Sequence, residues 1–277
     1  MSFYTSLTGL KVAQSDLATI SNNVANVNST AFKKSRTNFG DIFAAAPMQT
    51  TTQVAGQGTR INGITQQFTQ GTVETTDKTL DLAITGEAFF TVKTPAPNNQ
   101  VSYTRNGSFT LDDNRFITDT VGGRLQVFTY DATLNAGAGG FTTTQSDVQL
   151  PLTKPGDPTV QLSSIGVSVE GIVTATFADS TTEILGSIAM AAFPSQEGLR
   201  QKGDAHWEST LQSGAPIYGQ ANGGLYGAIR SGALERSNVD ITEELVALIS
   251  AQRNFQANAK AIETSSTISN AIINLRN

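Results

Sequence analysis

Residues 240–275 read DITEELVALISAQRNFQANAKAIETSSTISNAIINL, an unbroken stretch with no glycine and no proline. Its first residues are a start signal. Asp240 is followed three positions on by Glu243, a capping-box-like spacing in which the Asp carboxylate accepts an orphan backbone N–H. Glu243 and Glu244 then sit at the positive end of the helix dipole. Beyond the cap, a 3-4 alternation selects Leu245, Leu248, Gln252, Phe255, Ala259, Ile262, Ser266, Ser269 and Ile273. Held over about four heptads, that alternation is the pattern of a helix laid against a partner helix. At 1.5 Å per residue the helix spans about 50 Å, too long to bury in a compact domain of this size. Its partner must come from elsewhere in the chain, or from other chains.

The partner within the chain is the N-terminus. Residues 2–27 carry the same alternation at Phe3, Leu7, Leu10, Gln14, Leu17, Ser21 and Val24. Gly9 weakens that helix locally by about 1 kcal/mol relative to Ala. An antiparallel pair puts Phe3 near Ile273, Val24 near Leu245 and Gln14 opposite Gln252. Small and polar seam residues are a poor choice for a dry two-helix core and fit a packed tube of many helices. Asn22, Asn23, Asn26 and Asn28 close the first helix, because Asn competes for backbone hydrogen bonds and tolerates left-handed conformations. Lys33, Lys34 and Arg36 follow as the only basic cluster. In the antiparallel register they come close to Glu243 and Glu244, so the cluster is read either as a solvated turn or as ion pairs with those carboxylates.

Between the helices the period changes from 3.6 to 2. Ile61–Ile64 and Gln66–Val73 alternate within a Thr-, Gln- and Gly-rich stretch. Leu80–Ile84, Phe89–Val92, Val101–Arg105, Ser108–Leu111 and Leu125–Tyr130 read as strands. So do Thr159–Leu162, Ser164–Val169, Ile172–Phe177 and Glu183–Phe193. Asn106-Gly107 is the strongest short hairpin signal in the chain. Turn chemistry every 8–12 residues predicts a small antiparallel barrel or sandwich. The expected fold is α+β and nested. Helices at 1–35 and 237–277 pair as an antiparallel coiled coil, extended stalks run over 36–79 and 201–236, and an all-β domain occupies 80–200.

Composition excludes several functions. The 277 residues carry a net charge of −5 with only 15% charged side chains, so nothing draws the chain to nucleic acid. No stretch approaches the ~18 apolar residues that span a bilayer, so no membrane insertion is expected. The N-terminus lacks the charged and apolar regions of a secretory signal. With no cysteine, thiolate nucleophiles and cysteine-bound zinc are absent. His206, the only histidine, lies beside the only tryptophan in a Gly-rich segment and reads as a packing residue. Asp112-Asp113-Asn114 misses the spacing of a calcium loop, and Gly56-x-Gly58 lacks the third glycine of a dinucleotide site. No cofactor, no metal and no enzymatic activity are expected.

Four blocks, in order, resemble a known family: SNNVANVNSTAFKKSRTNFGDIF (21–43), LDLAITGEAFFTV (80–92), YTRNGSFTLDDNRFITD (103–119) and SGALERSNVDITEELVALISAQRNFQANAKAI (231–262). They are similar to the flagellar axial proteins, the rod and hook subunits of the bacterial flagellum. The likeness covers both termini and the first half of the β domain, and thins between Thr133 and Gly203. It implies a helical homopolymer whose terminal helices line an inner tube. It also implies export, without a cleaved signal peptide, through the flagellar type III apparatus. The partners it implies are further copies of the chain, rod proteins, the hook cap and the hook–filament junction. The short stretch Gly40–Ala55, GITQQFTQGTVETT (63–76), RLQVF (124–128) and IINLR (272–276) look hook-like; rod subunits are the second reading. Hook subunits commonly insert an outer domain, for which only Tyr130–Pro158 is available here. A phage-tail-like or adhesin fibre would share the Thr- and Gly-rich β composition, but such fibres trimerise through one continuous coiled coil rather than two terminal heptad helices.

Overall fold

A computed structural model describes residues 2–42, 56–131, 133–134 and 140–275. The chain divides into two compact units. One comprises Met1–Asn28, Lys33–Gln67 and Val239–Asn277, the other Ser29–Phe32 and Phe68–Asn238.

The first unit holds helix α1 (Ser2–Ala25), the hairpin of β1 (Ser35–Asp41) with β2 (Thr59–Gln66), and the long second helix, Ile241–Leu275. That second helix, α2, begins at its cap. Asp240 Oδ1 accepts the N–H groups of Thr242 at 2.8 Å and Glu243 at 3.2 Å. Those amides hold the exposed Asp240 carboxyl below its ordinary range. α1 ends in asparagines, where both the backbone N–H and the side-chain amide of Asn26 donate to the Asn22 carbonyl.

Two contacts fix the helix register. A Cβ on Gly9 would stand 2.6 Å from Asn258 Oδ1, so the missing side chain lets Asn258 nest against α1. Fourteen residues on, Asn23 bonds Glu244, fourteen residues back along α2. The helices are antiparallel, and Phe3 lies level with Thr264 rather than Ile273. The buried stripe also differs from the expected one. Along α2 it runs through Glu244, Leu248, Ala251, Phe255, Asn258, Ile262 and Ser265. Leu248, Phe255 and Ile262 are common to both stripes, whereas Leu245, Gln252 and Ala259 face outward. The reason is close approach. Asn258 fits against the small Gly9, Ala251 is buried on the same face, and the bulkier Leu245 is rotated away.

β1 and β2 pack on another face of α1. Thr37 Oγ1 donates to Thr19 Oγ1 at 3.0 Å, and Gly58, at φ +116°, passes over Thr5 and Thr8. Residues 43–55 of the short Gly40–Ala55 stretch, and Arg276 of the hook-like ending, lie outside the described residues.

The second unit is built of antiparallel strands. β3 (Val73–Thr75) and β4 (Leu82–Thr85) lead in, followed by the hairpin of β5 (Phe89–Lys93) and β6 (Val101–Thr104). β7 (Thr110–Leu111) and β8 (Ile117–Thr118) form a short hairpin before β9 (Arg124–Asp131). β10 (Gly140–Asp147) returns along β9, and β11 (Thr153–Lys154) pairs with the long β12 (Asp157–Val167). β13 (Ile172–Phe177) and β14 (Thr182–Ile188) complete a meander that closes back on β9. β15 (Met190–Ala192), β16 (Arg200–Gly203), β17 (His206–Glu208) and β18 (Ile217–Gly219) extend the sheet. The last two strands, β19 (Ala228–Ser231) and β20 (Ala233–Glu235), pair with β4 and β3 and so tie exit to entry. The main strand order is β11-β12-β13-β14-β9-β5-β6-β17-β16.

β5 shows how sequence sets the core. Its side chains alternate faces, and both faces are covered, so Phe89, Phe90, Thr91 and Val92 are all buried. Phe90 packs with Phe109, Ile117, Leu125 and Ile188 on one side. Phe89 meets Phe193 and Trp207 on the other, with ring centroids 5.8 and 5.7 Å away. A strand buried on both faces reads as a continuous apolar run.

Two expectations are corrected. Asn106-Gly107 is not a hairpin turn, because β6 pairs with β5 and β17 while β7 pairs with β8. Glycine is needed there for close approach: a Cβ on Gly107 would stand 1.7 Å from the Leu82 carbonyl oxygen. The stretch 36–79 is not one stalk. It divides at Gln67 between the hairpin and the β unit, and 201–236 supplies β16 to β20 and their connections. Tyr130–Pro158, too short for a full outer domain, contributes β10 and β11 to the same sheet among the described residues.

Candidate assembly surface

The helix unit is stitched at one end by a polar knot. Asn23 Nδ2 donates to the Ser35 carbonyl at 2.9 Å and to Glu244 Oε2 at 3.1 Å, while its Oδ1 accepts the Ser35 N–H at 2.9 Å. One side chain thereby holds α1, α2 and β1 together. Lys34 Nζ lies 3.2 Å from both Glu243 Oε2 and Glu244 Oε1. Desolvation would lower the Lys34 pKa, but the hydrogen bonds to Glu244 and Glu243 outweigh it and hold the ammonium above its ordinary range. Asp16 faces the same cavity of about 370 Å³. Burial first, and the Glu244 charge second, raise its carboxyl.

Of the expected ion pairs, Lys34 with Glu243 and Glu244 forms. Lys33 is buried, at 1% exposure. Arg36 is exposed and meets no carboxylate among the described residues.

Most of the helix-packing candidates divide into two sets. Leu7, Leu10, Leu17 and Val24 of α1, with Leu248, Phe255 and Ile262 of α2, are half-buried within the unit. Phe3, Gln14, Leu245, Gln252, Ala259 and Ile273 are exposed. Other apolar side chains join the exposed set: Tyr4 on α1, and Ile241, Val246 (61%), Ile249 and Ile268 (56%) on α2. On the hairpin, Phe39 and Ile61 are exposed cross-strand neighbours, and Ile64 is 56% exposed. Scattered single apolar residues on a surface need no explanation, but a run of them along one helix marks a contact surface.

The β unit contributes two buried polar anchors that the sequence reading missed. Arg105 and Glu235 are 1% and 0% exposed and approach to 3.5 Å. Arg105 Nη2 also donates to the Gly86 carbonyl at 2.7 Å, and its guanidinium lies 5.1 Å from the Phe89 ring centroid. Glu235 Oε1 accepts the Gly71 N–H at 2.8 Å. Desolvation lowers the Arg105 pKa, against the opposing pull of Glu235. The second anchor is His206. Its Nε2 stands 2.8 Å from Asp119 Oδ2 and its Nδ1 2.8 Å from the Asp204 carbonyl. Burial alone would raise the Asp119 carboxyl. The hydrogen bond with His206 and the Gly123 and Val121 amides hold it below its ordinary range instead. The sequence signal for Asp119 was the turn Asp119–Gly123, whose amides point back at the carboxylate.

Three family models match the chain. One described as flagella basal body rod protein covers residues 3–33, one described as flagellar hook protein FlgE/F/G D1 domain covers 83–175, and one described as flagellar basal body rod FlgEFG protein C-terminal covers 230–275. Together they span α1, part of the β unit and α2. The flagellar hook protein FlgE of Escherichia coli is 27% identical over the whole of both chains. The flagellar basal-body rod protein FlgG of Bacillus subtilis is 33% identical over 99% of this chain and 98% of its own. That of Borreliella burgdorferi is also 33% identical, over 99% and 97%. With a third of its residues shared along nearly its full length, the chain belongs to the family of flagellar hook and basal-body rod proteins.

Proposed function

We propose that the protein is a structural subunit, not an enzyme, that self-assembles helically into the flagellar hook, the tubular joint that passes motor torque to the filament. The observation that carries this reading is the set of outward apolar side chains of α2, Ile241, Leu245, Val246 and Ile249 near its start and Ile268 and Ile273 near its end, which one chain leaves uncovered. Copies of the same helix pair are its natural cover. α1 and α2 act as a short antiparallel coiled coil within the chain. Phe3, Gln14, Leu245, Gln252, Ala259 and Ile273 contact neighbouring copies, so the polar seam residues line a packed tube. The Thr-, Gln-, Ser- and Gly-rich stretches 36–79 and 201–236 supply short polar contacts between subunits that exchange with water at little net cost. Partners along the axis are rod, hook-cap and hook–filament junction proteins. The subunit leaves the cell through the flagellar type III apparatus.

A rod subunit of the basal body is the second reading, and alignment length favours it. The alignment with the E. coli hook protein runs to 417 positions where this chain has 277 residues, so at least 140 positions face gaps. The B. subtilis rod protein aligns over 290. Electron microscopy of basal bodies from a deletion strain separates the two: complete rods without hooks fit the hook reading, and truncated rods fit the other. Negative staining of the purified protein tests assembly itself. Tubes with a central channel are expected; thin trimeric rods would instead support a fibre subunit.

A further inference from the structure

We propose that Asn222 is a modification site, where the side chain closes on the Gly223 nitrogen to a cyclic imide, loses ammonia, and opens in water to aspartyl and β-aspartyl products. The proposal is independent of the self-assembly argued above.

The chain contains three Asn-Gly steps, at Asn62, Asn106 and Asn222. All three have the reacting groups, a side-chain amide and a following nitrogen that no side chain shields. Ring closure requires the glycine nitrogen to swing onto the asparagine Cγ. Backbone held by the fold resists that movement, and backbone with few contacts allows it.

Two of the steps are held. Asn106 donates its N–H to Thr104 Oγ1 at 3.0 Å, and its Oδ1 accepts the Ser108 N–H at 3.1 Å. The Gly107 carbonyl accepts the N–H groups of Leu82 and Phe109, each at 2.9 Å. Asn62 lies within β2, where Gly63 pairs with Asn38 of β1. Its amide occupies the space beside Gly40, 2.6 Å from where a Cβ would stand.

Asn222 stands in the loop between β18 and β19, and Asn222, Gly223 and Gly224 are all exposed. The backbone turns through the left-handed region at Asn222 (φ +61°) and again at Gly224 (φ +53°). The Asn222 N–H donates to the Gly227 carbonyl at 2.5 Å, and the Tyr226 N–H to the Gly223 carbonyl at 3.1 Å. These bonds close the loop around the step. Among the described residues, neither the Asn222 amide nor the Gly223 N–H has a hydrogen-bond partner.

The Gly223 nitrogen gives up its proton and bonds to Asn222 Cγ. The Cγ–Nδ2 bond then breaks, and Nδ2 takes up a proton and leaves as ammonia. One water opens the imide. Attack at Cγ restores the main chain with an aspartate, whereas attack at the main-chain carbonyl routes the chain through Cγ and adds a methylene to it. Either product places a carboxylate in the cavity of about 860 Å³ that Asn222 and Glu170 both line.

Tryptic mapping of the unaltered full-length protein, held at mildly alkaline pH, tests this. Asn222 is the only asparagine between Lys202 and Arg230, as Asn62 is between Arg60 and Lys78, and fragment spectra identify Asn106. The Asn222 peptide is expected to turn from amide to acid well ahead of the other two, giving separate aspartyl and β-aspartyl peaks. In protein unfolded by urea the three steps should convert at similar rates. Gly223→Ala should slow conversion at Asn222 several-fold with the thermal midpoint unchanged, since its Cβ would stand 3.3 Å from the Gln220 carbonyl oxygen in an exposed loop. Asn62 or Asn106 keeping pace with Asn222 in folded protein, or a ranking unchanged in urea, would overturn the assignment. An aspartyl product without its β-aspartyl companion, or undiminished conversion in Gly223→Ala, would overturn the imide route.

Discussion

Arg105 and Glu235 stand 130 residues apart in sequence and meet fully buried. Removing one member of such a pair leaves an uncompensated charge, at a cost of about 3–5 kcal/mol, whereas replacing both by apolar groups costs far less. Arg105→Met should therefore destabilise the protein by that amount in urea unfolding, and adding Glu235→Leu should recover part of it. A double variant no better than the single one would show that the pair is not the source. Lone charges on distant strands give no local pattern, which is why this pair was invisible in the sequence while the cap at Asp240 was plain.

Asp119 gives a pH signature of definite sign. Its carboxyl titrates below its unfolded value, so its stabilisation is present above about pH 4 and is lost as the pH falls through the folded pKa. Asp119→Asn should cost about 1–3 kcal/mol at pH 7, because it removes a charged partner from His206. The gap between variant and unaltered protein should narrow as the pH drops toward 3. Urea midpoints at both pH values measure it, and a gap independent of pH would exclude the carboxylate as its cause.

At the scale of elements, α2 serves two faces with one sequence. The 3-4 alternation has two solutions that share Leu248, Phe255 and Ile262 and differ in the residues between. Periodicity alone does not choose, because residues one apart both lie near the seam at 3.5 to 3.6 residues per turn. The structure settles the inner face through Glu244, Ala251 and Asn258. The two faces should respond differently to substitution. Ala251, 2% exposed, lies on the inner face, so Ala251→Asp should bury an unpaired charge there and destabilise the monomer by about 1–3 kcal/mol or more. Leu245, 45% exposed, should tolerate Asp within about 0.5 kcal/mol in the monomer while blocking assembly. Thermal unfolding and sedimentation of both variants separate the effects. A Leu245→Asp protein that assembles normally would remove this face from the interface. Strand periodicity was more legible. β13 occupies Ile172–Phe177 as the alternation indicates, each second residue buried. The Asn106-Gly107 turn misled because a tight turn and a close backbone approach call for the same glycine.

For the whole molecule, the distribution of core explains why a subunit of this kind needs its neighbours. The β unit encloses two clusters of large side chains, among them Phe89, Phe90, Phe109, Leu125, Ile188 and Trp207. The helix unit fully buries only Ala13, Ile20, Val239 and Ala251 among its described apolar residues, while nearly a dozen large ones stay exposed. Helix stability in proteins comes mainly from packing an apolar face, and regions with few buried contacts open most readily. Any partner that binds only the folded helix pair stabilises it by mass action, so polymerisation supplies the packing that one chain lacks. Limited proteolysis of dilute monomer should accordingly remove α1 and α2 first and leave a resistant fragment close to Phe68–Asn238. In the assembled polymer both helices should survive the same treatment. If the helices of a proven monomer resist protease as long as the β unit does, their stability is intrinsic, and the exposed apolar side chains of α2 are not the reason the subunit assembles.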